Sequence, residues 1–267
     1  MYDYKTISVE VRGSVHYLTL NRPDMLNAIN TEMVGELSDY FGGLFHNRAC
    51  RIVVMKGAGR AFCAGLDIKA RGEGESPFGG GFGFQGYLAD VYIKMRRCPQ
   101  PIISLIQGAA CGGGFAFALA SDIRVGGESM KMNAAFIKLG LSACDMGVSY
   151  FLPRLVGVTI ASELMMTGRF MEAQEAHDAG LTNYLVEPEE LEAKTMELAL
   201  AVEAGPPIGQ KVGKMLAYNI IAQPLDETSG HAPALLEDAE FAGHPPGEQE
   251  LLLDEQHGHA GLEVELE

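Results

Sequence analysis

Two glycine-bearing turns, about 47 residues apart, carry the chemistry that this sequence offers. The second, Gly112-Gly113-Gly114, lies between the apolar run 102–106 and the helix-forming run 115–120. The first, Arg60-Ala61-Phe62-Cys63-Ala64-Gly65-Leu66-Asp67-Ile68-Lys69, follows the apolar run 52–55. Small residues let the backbone approach a ligand closely. The N–H of Leu66 lies beyond its strand, and Gly113 falls at a helix N-terminus, where N–H groups lack intrahelical partners and the dipole favours negative charge. Two such donors aimed at one carbonyl oxygen stabilise an enolate or a tetrahedral oxyanion, each commonly worth ~3–4 kcal/mol of barrier. Groups able to move a proton are sparse by comparison. After the second turn the sequence offers one interior acid, Asp145.

The elements that must hold these turns are legible from pattern. Residues 6–20 alternate as two short strands turning at Arg12-Gly13-Ser14, and Asn30-Thr31-Glu32 caps a helix over Met33 to Leu44. A strand at 52–55 precedes the first turn. Residues 71–86 follow it, with Gly at 72, 74, 79, 80, 81, 83 and 86 and Phe78, Phe82 and Phe84 between them. That stretch is too rich in glycine for an element interior, and reads either as a lid over an apolar ligand or as a surface loop. A helix over about 87–97 ends before Pro99 and Pro101. A strand at 102–106, a helix at 113–121 and a strand at 122–125 come next. Strands alternating with helices imply βαβ units and a largely parallel sheet, so an α/β class. From Met146 onward the pattern is helical, with Gly157, Gly168, Gly180 and Gly205 as stops, and the C-terminal third is predominantly helical. The domain division expected is a core over 1–190 and a helical region with an acidic tail over 191–267.

Composition narrows the classes. The chain has 267 residues, 47% hydrophobic and 8% aromatic with no Trp, as expected for a globular enzyme. No apolar run reaches the roughly 18 residues that span a bilayer, and no secretion signal is read at the start, so a cytoplasmic location is expected. Five Cys, at 50, 63, 98, 111 and 144, without CxxC spacing, read as buried free thiols. The formal charge is −15, and residues 215–267 hold twelve acids and no Lys or Arg, against 23 acids and 20 bases in the rest. Nucleic acid and anionic membrane are thereby disfavoured as partners. His257-Gly258-His259 beside Asp254 and Glu255 offers no third ligand at fixed spacing, so no metal site is expected. The terminal Leu262-Glu263-Val264-Glu265-Leu266-Glu267 is set apart from fold reasoning as a candidate appended segment.

Over roughly residues 7–187 the chain resembles the crotonase, or enoyl-CoA hydratase/isomerase, superfamily. The resemblance rests on Leu20-Asn21-Arg22-Pro23 with Asn27-Ala28, on residues 60–69, and on Pro101 through Gly114. It continues through Ala120-Ser121-Asp122-Ile123-Arg124, Leu139-Gly140-Leu141, Leu152-Pro153-Arg154-Leu155-Val156-Gly157 and residues 173–181. It implies a crotonase-type spiral of repeated ββα units with a helical C-terminal subdomain, and a homotrimer or dimer of trimers. It also implies a thioester carbonyl held by the N–H groups of Leu66 and Gly113. Ala64, Asp67, Ile68, Lys69 and Arg22 would then line the acyl-CoA site, with coenzyme A as part of the substrate and no separate cofactor.

The departures from the family pattern bear on function. Hydratases of the family place one Glu in the helix after the Gly triplet, where this chain has Ala116, and a second where it has Phe136. Adding water across a conjugated double bond needs one group to activate water and another to protonate carbon, and neither Ala nor Phe can serve. Asp145 resembles the functional aspartate of the dienoyl-CoA isomerases, the 4-chlorobenzoyl-CoA dehalogenases and the β-diketone hydrolases. Its competing role is to cap the helix starting near Met146. The dehalogenases also need a His in the helix before the proline-bearing strand, and residues 86–98 contain none. Family members commonly hold the CoA phosphates with basic residues near position 24 and in the C-terminal helices, whereas here position 24 is Asp and the last Lys is Lys214. Either Arg22, Lys56, Arg60 and Lys69 suffice, or the substrate is not a CoA ester. The expected activity is an acyl-CoA-processing enzyme that isomerises a double bond through an enolate with Asp145 as proton carrier. A carbon–carbon hydrolase of a β-dicarbonyl and a catalytically silent acyl-CoA binder are the alternatives.

Overall fold

The computed structural model describes residues 2–68, 81–142 and 146–222. The chain divides into two compact units, 1–215 and 216–267, and of the second only the stretch 216–222 is described.

Strands β1 (Ile7–Arg12) and β2 (Val15–Leu20) form an antiparallel hairpin in which Ile7 faces Leu20 and Arg12 faces Val15, closed by Gly13 at φ +64°. From β2 the large sheet grows by parallel pairing through β3 (Ile52–Gly57), β4 (Ile102–Ile106), β6 (Ile123–Gly127) and β9 (Tyr184–Val186), in the order β1-β2-β3-β4-β6-β9. A smaller sheet orders β5 (Ala109–Cys111), β7 (Lys131–Asn133) and β8 (Met171–Glu172). Cys63 adds to it by a parallel bridge to Ala110.

These pairings make a spiral of three similar turns. In each, a strand of the large sheet (β3, β4, β6) is followed by a short segment of the small one (Cys63, β5, β7). A helix then closes the turn: α2 (Gly81–Arg97), α3 (Gly113–Ala120) or α4 (Val148–Thr167). This is the spiral of ββα units expected from the motifs. Strands β3 and β4 are near-continuous buried runs because both faces of the sheet are covered there. Val53 and Met55 join the large core with Phe62, Phe115 and Phe117, while Ile52, Val54, Ile103, Leu105 and Val125 pack on the opposite side with Leu191 and Ala199 of α6 (Leu191–Glu203). All eight residues of α3 are buried, so the helix that carries the second glycine turn is surrounded by core.

Helix α1 (Thr31–Gly43) starts where its cap was read: Asn30 is extended, and its side chain accepts from Met33 N at 2.9 Å. Asn30→Ala is expected to cost about 1 kcal/mol, read as a lower denaturant midpoint at unchanged slope.

Four expectations are corrected. Helix α2 begins at Gly81, six residues earlier than expected, and so includes Gly81, Gly83 and Gly86. Glycine costs a helix only ~1 kcal/mol per residue, and α2 is secured further along by the buried Leu88, Val91, Tyr92 and Met95. The rest of the stretch read as a lid or loop, 71–80, lies outside the described residues. Helix α4 begins at Val148 with Gly147, not Asp145, in the N-cap position, so the expected cap near Met146 is not made. Gly157, with φ +78° and ψ 160°, interrupts α4 where two helical segments meet at a kink. The region after Met146 also holds β8 and β9, strands of two and three residues, too short to show a period. Beyond them α5 (Ala173–Asp178), α6 and α7 (Pro207–Ala222) give the helical C-terminal part. Among the described residues no helix is long and apolar enough to cross a membrane.

Candidate active site

The first turn is held from one side by the segment before α1. Ala64 N donates to Leu26 O at 2.9 Å, Ile29 N to Gly65 O at 2.8 Å and Asp67 N to Ile29 O at 2.9 Å. These bonds make a parallel bridge between Ile29 and Leu66. In such a bridge the residues flanking Leu66 supply the bonds, so the N–H of Leu66 itself points to the other side. Asn27 locks the segment from within. It is fully buried with φ +57°, a conformation Asn tolerates better than most residues. Its amide donates to Ala58 O and Ala61 O, each at 2.9 Å, and its side-chain oxygen accepts from Arg22 N at 3.0 Å.

On the far side of Leu66 lies the second turn. Cys63 N donates to Ala109 O and Cys111 N to Cys63 O, which ties the two turns together over the bridge. Gly112 N donates to Asn133 O at 3.0 Å, and the backbone reverses at Gly112 (φ +50°, ψ −115°) into α3. The approach is close enough to require glycine. A β-carbon on Gly114 would overlap the Cys63 carbonyl, and one on Gly65 would lie 2.8 Å from Cys111 O and 3.5 Å from Gly113 N. Among the described residues, neither Leu66 N nor Gly113 N donates a backbone hydrogen bond. Two neighbouring donors without internal acceptors are what an oxyanion needs.

Among the described residues the surroundings of this pair are largely apolar. Ala116, Phe136, Ile29 and Met146 are all buried. Around the Cα of Gly113 stand Ile29 Cδ1, Met146 Sδ and the hydroxyl of Tyr92, which donates to Gly113 O at 3.1 Å. Burial raises the Tyr92 phenol well above its ordinary pKa, so at neutral pH it is a donor and not a base. The Cys63 thiol donates to Asn27 O and is pushed up to about 12 by burial, which removes it as a nucleophile.

A family model described as enoyl-CoA hydratase/isomerase matches residues 10–223. That match spans both turns and every strand that carries them. The chain belongs to the enoyl-CoA hydratase/isomerase family. The probable enoyl-CoA hydratase echA12 of Mycobacterium leprae is 38% identical over 185 residues, covering 67% of this chain and 63% of that protein, so the chain spans just under two thirds of that relative. A 1,2-epoxyphenylacetyl-CoA isomerase from Escherichia coli K12 is 33% identical over 219 residues, covering 81% and 83% of the two chains. Among solved structures, an enoyl-CoA hydratase from Bacillus anthracis superposes with TM-score 0.82 at 28% identity, covering 95% of this chain and 97% of that one.

The residues singled out in the sequence are brought together unevenly. Leu66, Gly113, Ala64, Ala116 and Phe136 belong to the two turns or their immediate wall; a β-carbon on Gly112 would lie 3.7 Å from the Phe136 ring. Arg22 and Asp67 turn on each other instead: Arg22 Nη2 is 2.9 Å from Asp67 Oδ2, Arg22 also donates to Ala28 O, and the Asp67 side chain is only 4% exposed. Their charges fix the base of the first turn. Lys56 pairs with Glu192 at 3.3 Å, whereas Arg60 is exposed and makes no ion pair among the described residues. Ile68 is exposed at the end of the turn. Lys69, Cys144 and Asp145 lie outside the described residues. Cys50, Cys63, Cys98 and Cys111 are free thiols. Sequence reasoning passed over Ile29, Tyr92 and Met146. For Tyr92 a signal existed, since Leu88, Val91, Tyr92 and Met95 follow helical spacing, and a buried tyrosine hydroxyl needs a partner.

Proposed function

We propose that the chain processes an acyl-CoA thioester by holding its carbonyl oxygen between the N–H groups of Leu66 and Gly113, and that it isomerises a carbon–carbon double bond more readily than it hydrates one. The observation that carries this reading is the pairing of two unsatisfied donors with a wall of Ala116, Phe136, Ile29 and Met146. Donors at the carbonyl lower the cost of removing an α-proton, because the charge moves onto oxygen. Among the described residues this wall offers no carboxylate, so water lacks the pair of acid and base groups that hydration needs, and hydration is disfavoured. A proton must still leave one carbon and arrive at another, and we assign that transfer to Asp145, the chain neighbour of Met146. The named isomerase from E. coli supports an isomerase reading, as does a monofunctional enoyl-CoA isomerase from Mycobacterium smegmatis, 30% identical with TM-score 0.72 over 84% of this chain. Arg60 is the exposed cation best placed in sequence, with Lys69, to meet the CoA phosphates. A homotrimer or dimer of trimers completes the proposal, and sedimentation gives the assembly directly.

Mixing the protein with 3-enoyl-, dienoyl- and 2-enoyl-CoA and following ultraviolet absorbance tests the reaction type. Isomerisation of a 3-enoyl or dienoyl ester, with 2-enoyl hydration slower by orders of magnitude, is the expected result. Rapid hydration of crotonyl-CoA would overturn the inference from Ala116 and Phe136. Saturable binding without turnover of any ester would favour a silent binder. Cleavage of a β-dicarbonyl with no response to CoA esters would favour the hydrolase.

A further inference from the structure

Between α2 and α4 lies a cavity of about 400 Å³, lined by Ala89, Tyr92, Arg96, Met146, Tyr150 and Phe151 among others. Two of these residues also touch the donor turn: Tyr92 through its hydrogen bond to Gly113 O, and Met146 through the sulfur beside the Gly113 Cα. The cavity therefore shares two of its lining residues with the surroundings of Gly113. Arg96 and Arg97 are the cations of its lining, Arg97 exposed and Arg96 held by its neighbours. The Arg96 guanidinium lies 4.5 Å over the Phe151 ring and donates to Leu119 O at 2.7 Å, and Arg154, 3.8 Å over the Tyr150 ring, donates to Tyr150 O. Tyr150 and Phe151 meet edge to face at 5.4 Å. Rings braced in this way present a fixed apolar wall, which favours a bulky apolar group over a charged one.

We propose that this cavity receives the acyl body of the substrate and selects for an apolar group of roughly eight to twelve non-hydrogen atoms, aliphatic or aryl. The proposal rests on the thioester reading above. The size follows from the volume: at ~30 Å³ for each atom-sized unit, the space a water molecule takes in the liquid, about 400 Å³ holds on the order of a dozen. Short acyl groups would leave it unfilled and forgo the burial of about 0.8 kcal/mol per methylene. Ala89 is the residue through which the size limit can be moved, because it is small and partly buried where it lines the cavity.

The test is isothermal titration of the full chain and of Ala89→Phe with butyryl-, decanoyl- and phenylacetyl-CoA, none of which has a double bond to turn over. The unaltered protein is expected to bind decanoyl- or phenylacetyl-CoA at least tenfold more tightly than butyryl-CoA, the better of the two telling an aliphatic from an aryl preference. Ala89→Phe is expected to cut that ratio at least tenfold. Ala89→Leu adds less bulk, shifts the ratio in the same direction, and carries the test if the Phe variant does not fold. Equal affinity of the unaltered protein for all three esters, or a ratio untouched by either substitution, overturns the cavity proposal while leaving the thioester reading intact. Failure of all three to bind, with free CoA also silent, removes the thioester reading and this proposal with it.

Discussion

Asp145→Asn is expected to lower kcat by on the order of 10²–10⁴ while ligand affinity stays within a few fold. The expectation follows from eliminating the proton carriers among the described residues. The three described atoms nearest to a β-carbon built on Gly113 belong to a methyl, a thioether and a phenol. The phenol belongs to Tyr92, whose burial favours the protonated form, so it cannot take an α-proton at neutral pH. The Cys63 thiol is likewise held protonated. Asp67, the nearest acid in sequence to Leu66, is ion-paired with Arg22 and buried at the base of the turn. Asp145 then remains as the acid adjoining Met146. Asparagine is near-isosteric with aspartate and keeps a hydrogen-bonding side-chain oxygen, so the substitution removes the ionisable group and little else. The measurement is single-turnover and steady-state kinetics on whichever enoyl ester the absorbance assay selects, together with titration of a saturated ester. Normal turnover by the variant would remove Asp145 from the mechanism and move the search to water or to Glu237 and Glu240 of the C-terminal region.

The parts of this architecture that were legible in the sequence share a physical property: each is a place where the backbone itself restricts residue type. The triplet at 112–114 follows the fully buried strand β4 and the short β5, and the structure needs glycine there because the Cys63 carbonyl occupies the space of a side chain on Gly114. Asn30 announced α1 because few side chains reach the free N–H groups of a first turn. The start of α2 was not legible for the opposite reason. Its glycines argue locally against helix, and the buried side chains from Leu88 onward, which no local window weighs, override them. The ion pair of Arg22 with Asp67 joins residues 45 apart, so each looked like a candidate for binding a ligand until their contact was seen. Ile29 and Met146 are ordinary core residues by type. Only the fold sets them against Gly113 and makes them part of a site.

Gly65→Ala is expected to reduce kcat by roughly 10²–10³, about the effect of losing one oxyanion donor. Gly65 sits at φ +93°, where a side chain is strained, and its β-carbon would come within 2.8 Å of Cys111 O and 3.5 Å of Gly113 N. Both obstructions are backbone atoms of the second turn, so neither can rotate away. Relief must come from moving the two turns apart, and that displaces Leu66 N from Gly113 N while leaving the acyl cavity between α2 and α4 in place. Binding of a saturated ester should therefore change less than turnover does, because the donors act mainly on charge that develops in the transition state. Some loss of stability will accompany the strain, so a control is needed for the generic effect of adding a methyl group. Gly43 provides it: its φ is −72° and a β-carbon there meets nothing within 4 Å. Gly43→Ala should leave kcat alone and raise stability by about 0.4–1 kcal/mol through the unfolded chain. If Gly65→Ala folds with a native circular dichroism spectrum and turns over within a few fold of the unaltered protein, the N–H of Leu66 is not a donor to the reacting oxygen. If turnover falls a hundredfold or more while ester affinity holds, the two turns act as one device that recognises charge on the thioester oxygen.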